Sequence, residues 1–488
     1  MGPGSESLDS TLLQWFRARK GVVDEQHMRL AEIEGCGTGA IAVKDIPKGH
    51  VLFEIPRDIL LSTRTCALKS QLTGAEWAGL GKGWTPLILC MMWEAAKGAE
   101  SIWSGYLETM PVIFNTPMFW SETDLEELRG TTIAEKIGRD DADKEYTDRL
   151  LPLVKARPDI FDPEHLDAYY TLAEFHIMGS RILSRSFHVE PWKGEDEPEM
   201  PQVRENPDPD VSMESCHSIS VEQSHEGSHE QPTQAGSSHL EDGEDSDIDS
   251  EDGENVEGVA MVPMADMLNA RYGGENTKLF YEPHVLKMIA TKHIASGEQI
   301  WNTYGDPPNS DLLRRYGHVD ELGSGLDIVE VKGSTIVEYA ATGLSEDHRK
   351  ERVDWWLEMG GDDTFTLEMA KLLPPELFSF AQLMLLSESE WKRTQEKEKP
   401  PKPKSSEVNI CVREVLTKRL GMYPTTLEED ESQLKSRHLT LNKRHALVVR
   451  IGEKKVLKAA LESISGSGTK KRKADSEGGA KKKGARQK

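Results

Sequence analysis

Apolar and polar residues alternate from Met28 to Ile33, the pattern of a half-buried strand. The alternation breaks at Gly35-Cys36-Gly37-Thr38-Gly39. Residues 40–43 and 50–55 read as two further strands, joined at Ile46-Pro47-Lys48-Gly49. The pattern changes from Trp77 to about Gly138. There Leu87, Leu89-Cys90-Met91 and Trp93-Glu94-Ala95-Ala96 predict a helix, and aromatic residues follow at Trp103, Tyr106, Phe114, Phe119 and Trp120. Residues 166–187 read as another helix, with Leu172, Phe175, Ile177 and Leu183 toward a core. Strand character returns at 259–268, 279–281, 286–290 and 299–304, with a turn at 294–298. From about Leu344 the pattern is helical. Trp355-Trp356-Leu357 falls in one helix and residues 377–386 in the next. Residues 397–404 form a Pro/Lys linker. Thr425-x-x-Glu428 offers a capping box. Leu447, Ile451, Leu457 and Leu461 keep helical spacing in a last helix, before a Gly/Ser/Lys tail. No internal repeat is visible.

The chain has 488 residues, of which 37% are hydrophobic and 7% aromatic. That length suggests roughly three folding units, and the low apolar share implies a part without a core. Residues 190–257 carry 22 Asp/Glu against Lys193 and Arg204, with one aromatic residue, Trp192. That segment buries too little apolar surface to offset chain entropy, so a disordered insertion is expected, acting as a spacer. It holds about four fifths of the net charge of −25, while nine Lys/Arg gather beyond Ser463. The part left is acidic and suits a basic protein partner by electrostatic steering.

Five scattered cysteines, Cys36, Cys66, Cys90, Cys216 and Cys411, form no C-x-x-C pair. They suggest a reducing compartment and no thiolate zinc cluster, and no metal site is expected. No apolar run approaches the ~18 residues of a membrane span. The N-terminus lacks the order of a signal peptide, and Glu6 after Met1-Gly2 disfavours myristoylation.

Gly35-x-Gly37-x-x-Ala40 fits the dinucleotide string G-x-G-x-x-G/A, but that fingerprint must open a helix. Here β-like residues ending at Pro47 follow, so a glycine turn that approaches a ligand, or a plain hairpin turn, fits better. A second constellation is Val262-Pro263-Met264-Ala265-Asp266-Met267-Leu268-Asn269. Later come Asn302-Thr303-Tyr304-Gly305 and Leu312-Leu313-Arg314-Arg315-Tyr316-Gly317. Alone, each has an ordinary reading: Asp and Asn cap and turn, and Tyr-Gly ends a strand.

Taken in order, these segments resemble the SET-domain protein-lysine methyltransferases of the Rubisco large-subunit methyltransferase type. Glu34-Gly35-Cys36-Gly37 with Ala42-Val43-Lys44-Asp45-Ile46 matches the opening strand pair. Ser101-Ile102-Trp103-x-x-Tyr106-Leu107 and Pro117-Met118-Phe119-Trp120 match a helical insert, and Ser184-Arg185-Ser186-Phe187 the helix that re-enters the core. Residues 262–269 and 302–305 match the two pseudoknot segments. Residues 423–430 and 444–447 match the C-terminal domain. Within the family, the chain resembles the fungal ribosomal-protein lysine methyltransferases, type 4, and animal nuclear members of that branch.

The resemblance implies an α+β fold: a split SET β-fold with a pseudoknot and an inserted helical subdomain, then an all-α C-terminal substrate-binding domain. The implied boundaries are 8–62 and 258–320 for the two SET parts and 63–189 for the insert and re-entry helix. They are 190–257 for the acidic insertion, 321–463 for the substrate domain and 464–488 for the basic tail. It implies S-adenosylmethionine as cofactor and a monomer without sequence-specific nucleic-acid contacts.

By the same resemblance, Glu34 and Cys36 approach the cofactor through backbone, and Arg185 meets its carboxylate. Asn269 holds its amino-acid end, Asp266 braces the turn, Tyr304 stands beside the transferred methyl, and Tyr316 lines the pocket. Arg185, Tyr304, Tyr316 and His318 border the lysine channel. Two residues depart from the family: Ala270 where His is usual, and His318 where Phe is usual. Those departures motivate the competing reading, a non-enzymatic SET-fold adaptor. The expected substrate is a ribosomal protein, with histones or other nuclear proteins as alternatives. Lys470-Lys471-Arg472-Lys473 and Lys481-Lys482-Lys483 suggest nuclear localisation with a cytoplasmic pool. A solvated or RNA-touching tail is the other reading.

Overall fold

The alternation at the start of the chain builds a hairpin. Met28–Ile33 pairs antiparallel with Gly37–Ala42, from Met28 opposite Ala42 to Ile33 opposite Gly37. Gln299–Ile300 joins its other edge. The computed structural model describes residues 5–34, 37–191, 258–321, 325–404 and 406–477, without the side chains of 5–10 and 466–477. The expectations for Gly35, Cys36, the acidic insertion and the cluster at Lys481 therefore lie outside the described residues. So do the side chains of the Lys470 cluster.

The strand that follows the glycine turn, Gly37–Ala42, has no helix after it, in line with the turn reading. A second sheet orders Val22–Val23, Val51–Pro56, Val285–Ala290 and Thr277–Tyr281, all antiparallel. Val285–Ala290 buries every second side chain, which is why its alternation was readable. A third small sheet places Val259–Met261 between Leu61–Ser62 and Ser186–His188.

The helix Thr85–Ala96 is buried almost all round, which fits its run Leu87-Ile88-Leu89-Cys90-Met91-Met92. The expected helix over 166–187 is broken in two, Leu166–Tyr169 and Leu172–Arg185. Thr171 causes the break: its hydroxyl accepts the Glu174 N–H at 3.2 Å and starts a new helix.

The C-terminal lobe is mostly helical but not all-α. Ile328–Lys332 and Thr364–Glu368 form an antiparallel ribbon, and Val329, Val331, Phe365 and Leu367 bury its inner face. The helix Leu427–Leu434 is capped by Thr426 and Glu429, one residue later than the sequence pattern suggested. Thr425-Thr426-Leu427-Glu428-Glu429 fits the box in both registers. The structure uses the second because the Thr425 hydroxyl donates to buried Asp430. The last helix, Leu441–Glu477, continues past Ser463, where the apolar stripe ends.

Trp120, Leu128, Ile133, Leu313, Ala446 and Val449 form a separate apolar seam between the insert, the SET end and the last helix. Polar groups reinforce it. Arg419 donates to the carbonyl oxygens of Gly130 at 2.6 Å and Glu330 at 3.0 Å. The Glu453 carboxylate accepts from the Thr132 N–H at 2.9 Å and the Tyr423 hydroxyl at 2.5 Å. Burial pushes Glu453 up to about 7, against the opposing pull of Arg419. The folded state then holds a proton that the unfolded state has released. Stability is full below the ordinary glutamate pKa and falls as pH rises toward 7. Glu453→Gln should remove that fall, amounting to about 3 kcal/mol, and be the more stable form at pH 8. Urea unfolding of both proteins at pH 5 and pH 8 checks this.

Candidate active site

The site is assembled where four segments meet. The helix Leu172–Arg185 runs directly into the strand Ser186–His188, whose pairing with Val259–Met261 fixes where Arg185 stands. After Met261 the chain passes through Val262, Pro263 and Met264 into a tight turn, Ala265–Met267. Met264 is fully buried at φ 73° and ψ −42°, a conformation that side chains rarely adopt. Such strain costs about 1–3 kcal/mol and persists only where the surroundings enforce it, commonly at functional sites. It turns Asp266 inward.

The Asp266 side chain has no exposure. Its Oδ2 accepts from the Tyr106 hydroxyl at 2.9 Å and faces Arg185 Nη1 at 3.5 Å. Arg185 Nη1 also donates to the Asp266 carbonyl at 2.9 Å. Burial raises the Asp266 carboxyl to about 6 although Arg185 and Tyr106 pull it down. Burial and the Asp266 charge together push the Tyr106 phenol well up, so it stays a proton donor. Tyr106 belongs to the insert, which ties the insert to the reacting end of the core. The sequence placed Tyr106 in a matching motif but gave it no role, because its partner lies 160 residues away.

The two pseudoknot segments cross as expected. The Asn302 N–H donates to the Asn269 carbonyl at 2.9 Å, and Ala270 and Asn302 form a parallel bridge. Ala270 thus makes a backbone contact that any side chain permits. Asn276 clamps the crossing by accepting the Trp301 N–H at 2.8 Å and donating to the Gln299 carbonyl at 3.0 Å. Asn269 Nδ2 and Gln299 Nε2 are buried without a hydrogen-bond partner. A Cβ at Gly39 would stand 2.6 Å from the first and 2.9 Å from the second. Only glycine lets the hairpin approach the amide of Asn269 this closely.

Tyr304 leaves the crossing and stacks on Tyr316, with ring centroids 4.3 Å apart and planes 8° from parallel. Its hydroxyl donates to the Leu268 carbonyl at 3.4 Å. Tyr316 ends a single π-helical turn, Leu312–Tyr316, a form often found at functional sites. Gly317 follows at φ 74°, and a Cβ there would meet the Asn115 carbonyl carbon at 2.9 Å.

Arg185, Asp266, Tyr304 and Tyr316 line one cavity of about 700 Å³. That size suits a cofactor or a side chain of substrate. Ser184, Tyr272, Tyr281 and Arg315 line it as well and were not foreseen. Asn269 lies behind the wall, against Gly39. His318 is exposed, 6.0 Å from the Tyr316 ring and outside the lining. Glu34 is an exposed turn residue at the end of the first hairpin strand, also outside the lining.

The cavity can therefore offer a two-pronged cation, a buried carboxylate and a stacked tyrosine pair at one place. The amino-acid end of a ligand fits that set: the Arg185 guanidinium suits its carboxylate. The aromatic faces suit a sulfonium or ammonium centre.

Residues 37–305 match the SET domain family, and residues 344–457 match the Rubisco LSMT substrate-binding family. The N-lysine methyltransferase setd6 of Danio rerio is 28% identical, over 86% of this chain and 87% of that protein. The ribosomal lysine N-methyltransferase 4 of Saccharomyces cerevisiae is 30% identical, over 62% of this chain and 53% of that protein. The solved structure of Rubisco LSMT bound to AdoMet has 17% identity and a TM-score of 0.63, covering 96% of this chain and 92% of that one. At that identity the likeness shows a shared fold.

Proposed function

We propose, from the premise that this chain belongs to the SET-domain family, that its cavity binds S-adenosylmethionine and methylates a lysine of a basic protein. The observation that carries this reading is the meeting of Arg185, Asp266, Tyr304 and Tyr316 in one cavity from three distant parts of the chain. The two relatives named above, both lysine methyltransferases, support it. The C-terminal lobe, matched to a substrate-binding family, presents the protein substrate.

S-adenosylmethionine, when bound, supplies an electrophilic methyl group on a sulfonium sulfur. Arg185 would hold its amino-acid end, and Asp266 keeps Arg185 aimed through the contacts described. The Tyr304 hydroxyl, held against the Leu268 carbonyl, would meet the incoming amine and orient it. The stacked Tyr316 fixes the ring of Tyr304 and excludes water. A lysine among these rings has its pKa lowered by desolvation, which favours the neutral amine that the displacement requires. Holding the amine in line is worth on the order of 7–11 kcal/mol in favourable systems.

Arg185→Ala should weaken S-adenosylmethionine binding by roughly tenfold or more, the usual loss for a charged hydrogen bond. Calorimetry with the purified protein measures it, and unchanged affinity would count against the carboxylate role.

A ribosomal protein is the substrate we favour. The acidic core attracts a basic partner, and the yeast relative is named a ribosomal lysine N-methyltransferase. Labelled-methyl transfer to ribosomal and nuclear fractions of cells lacking the protein distinguishes the two sources. A labelled histone band with unlabelled ribosomal proteins would overturn the ribosomal reading. The basic clusters from Lys470 onward serve as a nuclear address. Deleting residues 469–488 should move a tagged protein out of the nucleus, and an unchanged nuclear signal would refute that role.

A further inference from the structure

A group of side chains of metal-ligating types lies outside the residues that line the cavity. Asp24, His27 and His50 bring three potential ligand atoms together, all within 4.8 Å of one another. His27 Nδ1 and His50 Nε2 each lie 2.8 Å from the same carboxylate oxygen, Asp24 Oδ2. The two imidazole rings are 4.5 Å apart between centroids. About a quarter of each side chain is exposed, so an ion can enter from solvent. None of the three lines the active-site cavity.

The backbone holds these residues in place before any ion arrives. The Asp24 N–H donates to the Leu52 carbonyl at 2.9 Å, and the Val43 N–H to the His27 carbonyl at 2.8 Å. The Ala290 N–H donates to the His50 carbonyl at 2.9 Å. Asp24 and His27 sit on the tight turn before Met28–Ile33, and His50 precedes Val51–Pro56. The second carboxylate oxygen, Asp24 Oδ1, accepts the Gln26 N–H at 3.0 Å, which orients the carboxylate.

We propose that Asp24, His27 and His50 form a zinc site, with water completing the coordination. Two imidazoles and one carboxylate are a borderline nitrogen and oxygen set, suited to Zn²⁺ rather than to Mg²⁺ or Ca²⁺. Zinc bonds of ~2.0–2.1 Å in tetrahedral geometry need ligand atoms ~3.3 Å apart, so the set opens by a few tenths of an ångström through side-chain rotation. The scatter of the cysteines speaks against a thiolate cluster but says nothing of this nitrogen and oxygen set. The ion clips the turn before Met28–Ile33 to the turn before Val51–Pro56. It thereby steadies the hairpin whose Gly39 packs on Asn269. The site is structural, set apart from the residues that line the active-site cavity.

The full chain, stripped with chelator and titrated with zinc chloride against a fluorescent zinc indicator, tests this. His217, His225, His229 and His239 can also take zinc, so the reading is a difference. Wild type should take up one equivalent more than the His27→Ala/His50→Ala protein. Equal uptake by both folded proteins would overturn the proposal. Should that variant lose its cooperative melt, a zinc-soaked wild-type crystal decides. An anomalous peak within bonding distance of His27 Nδ1, His50 Nε2 and the Asp24 carboxylate supports the site, and its absence there overturns it.

Discussion

Tyr304→Phe should leave S-adenosylmethionine affinity nearly unchanged and cut turnover at least tenfold. The substitution keeps the ring and hence the 4.3 Å stack on Tyr316, so the cavity wall stays in place. It removes only the hydroxyl, which lies against the Leu268 carbonyl at the pseudoknot. A hydroxyl that positions an amine and its proton typically contributes about 10²–10⁴-fold, and a water filling the gap recovers part of that. The loss should appear in kcat, since the ring still fills the same space. Single-turnover methyl transfer with both proteins separates the two effects. Equal turnover would remove Tyr304 from the reaction and leave it a packing residue.

Asp430→Ala should be the most damaging change outside the cavity. The Asp430 side chain has no exposure and accepts from Arg450 at 2.8 Å and from Lys454 at 2.5 Å. Lys454 is itself fully buried, and it also donates to the Thr425 carbonyl at 2.7 Å. Removing the carboxylate strands buried positive charge in the last helix. Breaking such a set by deleting one partner costs about 3–5 kcal/mol, mostly the penalty of the uncompensated charge. Arg450 keeps a second acceptor, Glu127 in the insert, so Lys454 suffers most. Adding Lys454→Met to Asp430→Ala should therefore recover stability rather than lose more. Urea denaturation of the three proteins checks this, and additive losses in the double variant would contradict it.

The core was legible where one physical rule decided the outcome alone. The run at Leu87 could only be buried, and the alternation at Val285–Ala290 could only be one side of a sheet. The ribbon at Ile328–Lys332 was missed because a short strand declares itself through its partner, here the distant Thr364–Glu368 in the register Ile328 to Glu368. The cap at Thr426 was misplaced by one because two threonines precede two glutamates. The last helix outran its apolar stripe, since Lys, Arg, Ala and Glu favour helix without a buried face.

For the site, order and spacing of motifs located Arg185, Asp266, Tyr304 and Tyr316, and all four meet in the cavity. What stayed hidden was pairwise. The Tyr106 contact with Asp266 spans insert and core, and the strain at Met264 follows from packing around a buried side chain. Nor does the sequence reveal that the Asn269 amide packs against Gly39, because that depends on how closely two strands approach. The Asp24, His27 and His50 group escaped because no familiar ligand spacing links His50 to the other two.

Methyl transfer to lysine by this cavity can be read from the product itself. The most direct test incubates purified protein with labelled S-adenosylmethionine and extract from cells that lack it. The labelled protein is then hydrolysed and the labelled amino acid identified by mass spectrometry. The expected label is on N-methyllysine, strong with wild type and at least tenfold weaker with Tyr304→Phe. Cofactor binding without any labelled lysine would contradict the account and favour a binding protein built on the same fold.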